Sequence, residues 1–344
     1  MPSHRTLVVQ IPCYNEAQSL PGTIAALPRS LPGVHRIIVL VIDDGSTDNT
    51  TDVAFRSGAH YVARHLRNRG LGVAFLTGIV TALALGADII VNTDGDNQYP
   101  GHYLGDLIAP ILADAADVVI GDRQLAANVH FSPVKRLLER LGSAVVGFLS
   151  ATVALDAACG FRAYSRYAAL RLQTYNSYSY TLETLIQAGR ERMAIAHVPI
   201  LTNASVRPSR LHSGIFSFLW HQGGAIIRSY LLYQPLRTFL TAGLPFLLVG
   251  AILIARFMFL YIRGESALGR YVQSLSIGGT AALFGLLLIF MGLLADAMRA
   301  NRRIMQEILA HLRGEQTASL TAHPDYLGVR LTRASPYPDD TAEH

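Results

Sequence analysis

The chain has 344 residues, of which 51% are hydrophobic and 15% are charged, and its formal net charge is +5. This composition is too apolar for a purely soluble protein and too mixed for a polytopic transporter, so it predicts a soluble domain with a small membrane part. The two cysteines, Cys13 and Cys159, lack CxxC spacing, which argues against a disulfide framework and against a zinc site.

Residues 1–210 alternate short β-rich runs with helical stretches. Strands are predicted at residues 7–11, 37–42, 60–63, 89–92, 118–120 and 196–199. Helices are predicted near residues 16–27, 48–57, 71–85, 101–115, 133–152 and 180–191. This alternation is typical of one α/β domain with a mostly parallel sheet covered on both faces. Because a buried strand already begins near residue 6, we predict no signal peptide and a cytoplasmic location for this domain.

Residues 238–295 are predicted to form a membrane hairpin. The stretch 239–262 contains one charge, Arg256, and the stretch 272–294 contains none. At 1.5 Å per residue each helix would be roughly 35 Å long, enough to cross the bilayer core. The short connecting loop places both ends of the hairpin on one side. More arginines flank the hairpin than lie in its loop, so the flanks, both termini and the α/β domain are predicted to be cytoplasmic.

Two further segments adjoin the hairpin. Residues 211–237 are apolar and aromatic with polar side chains among them, and they are predicted to form amphipathic juxtamembrane helices in the interface. A helix packed on the soluble domain is the alternative. Residues 296–344 are predicted to form a cytoplasmic tail that is partly disordered, because the sequence from Gly314 onward is polar and contains proline.

The segment VNTDGDNQ at residues 91–98 carries the strongest chemical signal. Asp94 and Asp96 are two residues apart and Gln98 follows, directly after the fourth predicted strand. Open α/β sheets bind ligands at the carboxyl ends of their strands. Mg²⁺ and similar hard cations prefer oxygen ligands and often share them with substrate phosphates. The pattern therefore indicates a metal site, although these residues alone would more often form a turn.

Similar signals follow the first three strands. They are IPCYNE at residues 11–16, VIDDGSTD at 41–48 and NRGLGVA at 68–74. In the second of them Gly45 permits a tight turn, and Ser46 or Thr47 is predicted to cap the next helix.

The order of these motifs, followed by VVIGDR and DAACGFRAYSR, resembles family 2 glycosyltransferases of the GT-A fold over residues 6 to about 200. With the two apolar stretches, the chain further resembles the polyprenyl-phosphate glycosyltransferases, the dolichol-phosphate mannose synthase-like branch. The resemblance implies a membrane enzyme that transfers one sugar, with inversion, from a UDP-, GDP- or dTDP-linked donor to undecaprenyl or dolichyl phosphate. It implies Mg²⁺ or Mn²⁺ as cofactor and no nucleic-acid partner.

The resemblance also implies roles for single residues. The implied nucleotide-sugar ligands are Pro12, Tyr14, Glu16, Asp44, Asn68, Asp94 and Gly95, with Asp44 holding the base. The implied metal ligands are Asp94, Asp96 and Gln98. The implied acceptor phosphate site consists of Arg123, Arg136, Arg140, Arg162 and Arg207, for each of which a solvated surface charge is the alternative. The implied catalytic residues are Asp96, Asp156 and Arg123.

The acceptor stays open at this point. A lipid monophosphate arrives ionised, since its second pKa is about 6, and needs no strong base. A sugar hydroxyl on a lipid-linked or cell-envelope glycan needs a general base, for which Asp156 is the candidate, with a structural carboxylate as its alternative. A non-catalytic membrane sensor or scaffold is a third hypothesis, opposed by the intact aspartates. The sequence does not indicate which sugar, which base, or whether the protein forms a homo-oligomer.

Overall fold

The structure is a computed structural model that describes residues 5–124, 147, 155–174, 180–203, 234–264, 272–316 and 329–334. Arg136, Arg140 and Arg207 lie outside the described residues, as do nearly all of the predicted helix at 133–152 and most of the juxtamembrane segment. The chain divides into two compact units. One comprises Met1–Ala225 with Ile308–His344, and the other comprises Ile226–Glu307.

A mixed sheet forms the centre of the first unit. Its described strands are β1 (Thr6–Cys13), β2 (Arg36–Asp43), β3 (Tyr61–His65), β4 (Ile89–Asn92), β5 (Val118–Asp122), β6 (Arg162–Ser165), β7 (Ile195–Pro199) and β8 (Val329–Arg333). Their order is β7-β5-β6-β4-β1-β2-β3-β8. The pairs β1–β2, β1–β4, β2–β3 and β5–β7 are parallel, whereas β6 and β8 run antiparallel to their neighbours. All six predicted strands are confirmed within two residues of their predicted bounds.

Helices follow most of the strands. The described helices are α1 (Leu20–Ala25), α2 (Thr50–Arg56), α3 (Leu71–Ala84), α4 (Leu104–Leu112), α5 (Arg166–Arg171), α6 (Thr181–Arg190), α7 (Pro235–Ile262) and α8 (Val272–Gln316), and a 3₁₀ turn at Gly101–Tyr103 precedes α4. The central strand β4 is buried throughout. Burial on both faces explains why the central strands are continuous apolar runs rather than alternating ones.

The C-terminal part of the chain returns to the sheet. Strand β8 pairs with β3 over five residues and covers the edge that β3 would otherwise leave open. Helix α8 extends to Gln316, and the guanidinium of Arg313 donates to the carbonyl oxygens of Leu170 (3.3 Å) and Leu172 (3.1 Å) at the end of α5. Five residues of the tail that was predicted to be partly disordered thus form a strand, because pairing with β3 outweighs their polar composition.

The second unit contains α7 and the first part of α8, which pack through glycines. A Cβ on Gly250 would lie 2.7 Å from the carbonyl oxygen of Gly278, and one on Gly243 would lie 2.8 Å from that of Gly285. Large apolar side chains are instead exposed on both helices. Small residues inside and large apolar residues outside are typical of helices packed in a lipid bilayer. Both helices are long and apolar enough to cross a membrane.

Replacing Gly250 with alanine is expected to destabilise the helix pair, because the added methyl group would lie 2.5 Å from the backbone nitrogen of Ala282. Gly279→Ala is the matched control, since a Cβ there meets no atom of the described residues within 4 Å. The control is expected to be neutral or stabilising by up to about 1 kcal/mol, the helix-propensity difference between the two residues. Thermal unfolding in detergent, followed by circular dichroism, measures both. Equal unfolding midpoints for the two variants would contradict the close packing.

Candidate active site

The loops after β1 and β2 are joined at the carboxyl edge of the sheet. The backbone N–H of Asn15 donates to the hydroxyl of Ser46 (2.9 Å), and the Asn15 side-chain oxygen accepts from the N–H of Thr47 (2.8 Å). Helix α2 begins at Thr50, whose N–H donates to the carboxylate of Asp48 (3.0 Å). The prediction that Ser46 or Thr47 caps α2 is therefore wrong, because both residues serve the contact between the loops.

The predicted nucleotide ligands of the first loop differ in exposure. Pro12 is a buried residue of β1 and pairs with Ile42 of β2. Tyr14 is 40% exposed at the edge of the sheet. Glu16 is mostly buried, and its carboxylate accepts from the hydroxyl of Ser19 (2.6 Å). Of these three side chains, that of Tyr14 is the most open to a nucleotide.

Asp44 is buried and holds the loop that precedes α3. One of its carboxylate oxygens lies 2.6 Å from Nδ1 of His65 and accepts from the N–H of Arg69 (2.9 Å), and the other accepts from the N–H of Gly70 (2.8 Å). The turn at Gly45 (φ +73°) confirms the need for glycine, because a Cβ there would clash with the backbone of Arg67. Asp44 thus shapes a loop containing the exposed Asn68, and direct contact of either side chain with the base stays a prediction.

Asp94, Asp96 and Gln98 follow β4 at the same edge and are largely buried, with a small part of each residue still exposed. The N–H of Gln98 donates to the Asp96 carboxylate (3.1 Å), which closes the turn. Gly95 between them is buried, and a Cβ on it would lie 2.8 Å from the sulfur of Cys13. Gly95 therefore permits close packing of the loop, and its contact with the sugar nucleotide stays a prediction.

Electrostatics favour a cation beside Asp94. Burial raises the pKa of its carboxyl to about 7, and the negative charges of Asp96 and Glu16 also raise it, while the positive charge of Arg123 opposes them. Among the described residues no group of three or more His, Cys, Asp or Glu side chains could hold a metal by itself. A site with two carboxylates fits Mg²⁺ or Mn²⁺, which would take its remaining ligands from water and substrate phosphates.

Arg123 and Asp156 form a buried ion pair. Nε of Arg123 donates to one carboxylate oxygen of Asp156 (2.6 Å) and Nη2 to the other (2.7 Å), and the backbone N–H of Arg123 lies 3.3 Å from the first. Burial alone would lower the pKa of the guanidinium, but the hydrogen bonds and charge of Asp156 raise it. Asp156 is fully buried. The structure therefore supports the structural role of Asp156 over the role of general base, because Asp156 holds Arg123 and is not open to an acceptor hydroxyl.

Arg162 does not belong to a phosphate site. It is fully buried at the start of β6, and its guanidinium donates to the carbonyl oxygens of Cys159 (2.8 Å), Thr181 (2.7 Å) and Ala157 (2.7 Å). A further bond reaches the hydroxyl of Thr184 (3.1 Å). The prediction that Arg162 binds the acceptor is wrong, because each of its three guanidinium nitrogens is already bonded inside the fold.

Several site residues were not predicted. Asn92 and Tyr180 both bond to the carbonyl oxygen of Gly160, and the N–H of Gly160 donates to the hydroxyl of Tyr99 (3.2 Å). One sequence feature could have indicated these contacts: Asn92 is a polar residue at the end of an apolar strand, and a buried amide requires hydrogen-bond partners.

The model of "Glycosyl transferase family 2" matches residues 8–172. The chain belongs to this family. It is 28% identical to a UDP-N-acetylglucosamine–dolichyl-phosphate N-acetylglucosaminyltransferase of Methanococcus voltae, over 56% of this chain and 83% of the relative. It is 29% identical to an undecaprenyl-phosphate mannosyltransferase of Micrococcus luteus, over 60% of this chain and 87% of the relative.

A solved structure shares the fold. Glucosyl-3-phosphoglycerate synthase from Mycobacterium tuberculosis, crystallised with Mn²⁺, UDP-glucose and phosphoglyceric acid, superposes with a TM-score of 0.52 at 24% identity. The match covers 66% of this chain and 79% of the other. The GT-A fold that the motifs imply is thereby confirmed for this family 2 member, with the two apolar helices following it.

Metal binding by the isolated enzyme is expected to weaken at low pH. A proton competes with the metal at Asp94, whose pKa is about 7, so the carboxylate is mostly free at pH 8 and mostly protonated at pH 6. Mn²⁺ affinity, measured by electron paramagnetic resonance, should fall about tenfold across this interval. The Asp94→Asn variant should bind Mn²⁺ weakly at both pH values, without the tenfold change between them. A wild-type affinity that is constant from pH 6 to pH 8 would count against Asp94 as a ligand.

Asp156→Ala is expected to lower the free energy of unfolding by about 3–5 kcal/mol, because it leaves the buried charge of Arg123 unpaired. The double variant Arg123→Met/Asp156→Leu should recover a large part of this loss, since no buried charge remains. Thermal unfolding of the purified protein compares the three forms. If the double variant is no more stable than Asp156→Ala, the loss of stability does not come from the unpaired charge of Arg123.

Proposed function

We propose that this family 2 glycosyltransferase moves a single sugar from a nucleotide diphosphate sugar to polyprenyl phosphate at a membrane surface. Two relatives that carry the names of dolichyl-phosphate and undecaprenyl-phosphate transferases support this acceptor class. The two long apolar helices support a location where such a lipid is reached. The relatives are named for different sugars, so the sugar of this enzyme has to be found by experiment.

The Arg123–Asp156 pair is the observation that carries the choice of acceptor. A sugar hydroxyl must lose its proton during transfer, and the candidate base Asp156 has both oxygens bonded to Arg123. A phosphate monoester is ionised near neutral pH and needs no base. It does need positive charge, which Arg123 supplies close enough to Asp94 to influence the pKa of that carboxyl. The pair therefore favours a phosphate acceptor over a hydroxyl acceptor.

The reaction follows from this arrangement. An oxygen of the lipid phosphate attacks the anomeric carbon on the face opposite the nucleotide. The bond from that carbon to the diphosphate breaks, and the nucleoside diphosphate leaves. The configuration at the anomeric carbon of the transferred sugar is thereby inverted. Arg123 orients the phosphate. Asp94 and Asp96, with Gln98 as a further ligand, would hold Mg²⁺ or Mn²⁺, which neutralises charge on the leaving diphosphate. Tyr14 lies open at the same edge for contact with the nucleotide.

The hairpin gives the proposed topology. With α7 and α8 both spanning the inner (cytoplasmic) membrane, the two termini and the catalytic unit lie on one side of it. The flanking arginines favour the cytoplasmic side, where nucleotide sugars are present.

Purified full-length protein is expected to form a glycolipid from polyprenyl phosphate and at least one donor in a panel of UDP-, GDP- and dTDP-sugars with Mg²⁺ or Mn²⁺. Asp96→Asn should lower the rate at least about 100-fold, because it removes a ligand of the metal that stabilises the transition state. Asp106→Asn is the control, since Asp106 is an exposed residue of α4 outside the site. Product is measured by mass spectrometry of the extracted lipid.

The other outcomes separate the alternatives. Turnover onto a sugar hydroxyl of a lipid-linked glycan, with none onto polyprenyl phosphate, would replace the proposed acceptor. Donor binding without turnover onto either acceptor would favour a sensor or scaffold. Retained activity in Asp96→Asn would refute the metal role of that carboxylate.

A further inference from the structure

A network of buried polar side chains adjoins Asp94, and it is centred on Asn92. Nδ2 of Asn92, two residues earlier on β4, donates to the carbonyl oxygen of Gly160 (3.0 Å) and to the hydroxyl of Tyr180 (2.6 Å). The side-chain oxygen of Asn92 accepts from Nε2 of Gln10 on β1 (2.9 Å). These three side chains are essentially inaccessible to solvent. Buried polar groups are costly unless bonded, so each partner strongly constrains the position of the next.

Gly160 is fixed by both of its peptide groups. Its carbonyl oxygen accepts from Asn92 and from the hydroxyl of Tyr180 (3.1 Å), and its N–H donates to the hydroxyl of Tyr99. A Cβ on Gly160 would lie 3.0 and 3.1 Å from the two carboxylate oxygens of Asp94. The backbone of Gly160 thus forms a wall against this carboxylate, and movement of Gly160 would displace it.

The same loop reaches the acceptor side. It begins at Asp156, which binds Arg123, and ends at Arg162, which binds the carbonyl oxygens of Ala157 and Cys159. Gly160 lies between these two anchors. Asp94 and Arg123 are therefore connected through a few consecutive residues whose positions are all set by buried hydrogen bonds.

We infer that Asn92 and Tyr180 are positioning residues, which act through Gly160 to set the separation between the metal-binding carboxylate and the acceptor-binding arginine. This inference rests on the proposed function. The ring of Tyr180 stacks on Phe75 of α3 at 3.9 Å, so its hydroxyl is held in place. Transfer depends on this separation because a displacement of about 1 Å between reacting groups lowers a rate by about 100-fold.

Tyr180→Phe tests the inference, with Tyr164→Phe as its matched control. Tyr164 is fully buried and contacts the same Phe75, and its hydroxyl lies near Thr184 and Arg162, outside the hydrogen bonds that the structure describes between Asn92, Tyr180 and Gly160. Tyr180→Phe should lower kcat for glycolipid formation at least about tenfold with little change in the KM for the donor. It should lower hydrolysis of the donor by water much less. Tyr164→Phe should leave both rates near those of the wild type.

A second variant tests the contact between Gly160 and the Asp94 carboxylate without requiring turnover. Gly160→Ala should weaken Mn²⁺ binding at least about tenfold, because its methyl group would press on the Asp94 carboxylate and, at 3.1 Å, on the hydroxyl of Tyr180. Gly105→Ala on α4 is the control, since its Cβ would make only ordinary contact with Leu31 at 3.5 Å.

The results distinguish the two proposals. Absence of transfer by the wild-type protein would overturn the proposed function, and Mn²⁺ affinity would still test the contact of Gly160 with Asp94. If the wild type transfers sugar and Tyr180→Phe matches Tyr164→Phe, the positioning role is wrong. Equal losses of transfer and hydrolysis in Tyr180→Phe would indicate a purely structural role and would likewise overturn it.

Discussion

The loop from Asp156 to β6 depends on the burial of Arg162. A guanidinium inside a protein is costly unless oxygen atoms surround it, and here backbone carbonyls and one hydroxyl supply them. These bonds fold the chain from Asp156 to β6 around a single side chain and attach it to the start of α6. Strand β6 lies between β4 and β5 and runs antiparallel to both, so Asp94 and Arg123, which follow β4 and β5, lie on the same side of the sheet.

Charge is distributed unevenly across this edge of the sheet. Asp94 has an elevated pKa because it is buried and because Asp96 and Glu16 carry negative charge, whereas the fully buried Asp156 holds Arg123 in an ion pair. The loop after β4 thus carries excess negative charge that a divalent cation would offset. Arg123 after β5 keeps its positive charge although it is buried, because Asp156 pairs with it. This asymmetry suits two anionic substrates that have to be held close together.

The sequence predicted the parallel strands well, because continuous apolar runs and turn residues are local signals. It did not predict β6 or β8. Strand β6 has four residues and carries a charge, and β8 lies in a polar tail, so neither has the pattern of a buried strand. The sequence placed Asp94 and Asp96 correctly at the carboxyl end of the fourth strand. It misplaced Arg162 because burial there depends on carbonyl oxygens up to 19 residues away, which no local pattern records.

The return of β8 to the sheet makes the catalytic unit discontinuous in sequence. Residues of the helix pair separate β7 from β8, so the strand that covers β3 is synthesised after both apolar helices. Strand β8 can pair with β3 only after the ribosome has synthesised both apolar helices. The sheet edge beside the Asp44 loop therefore forms late, after the translation of α7 and α8.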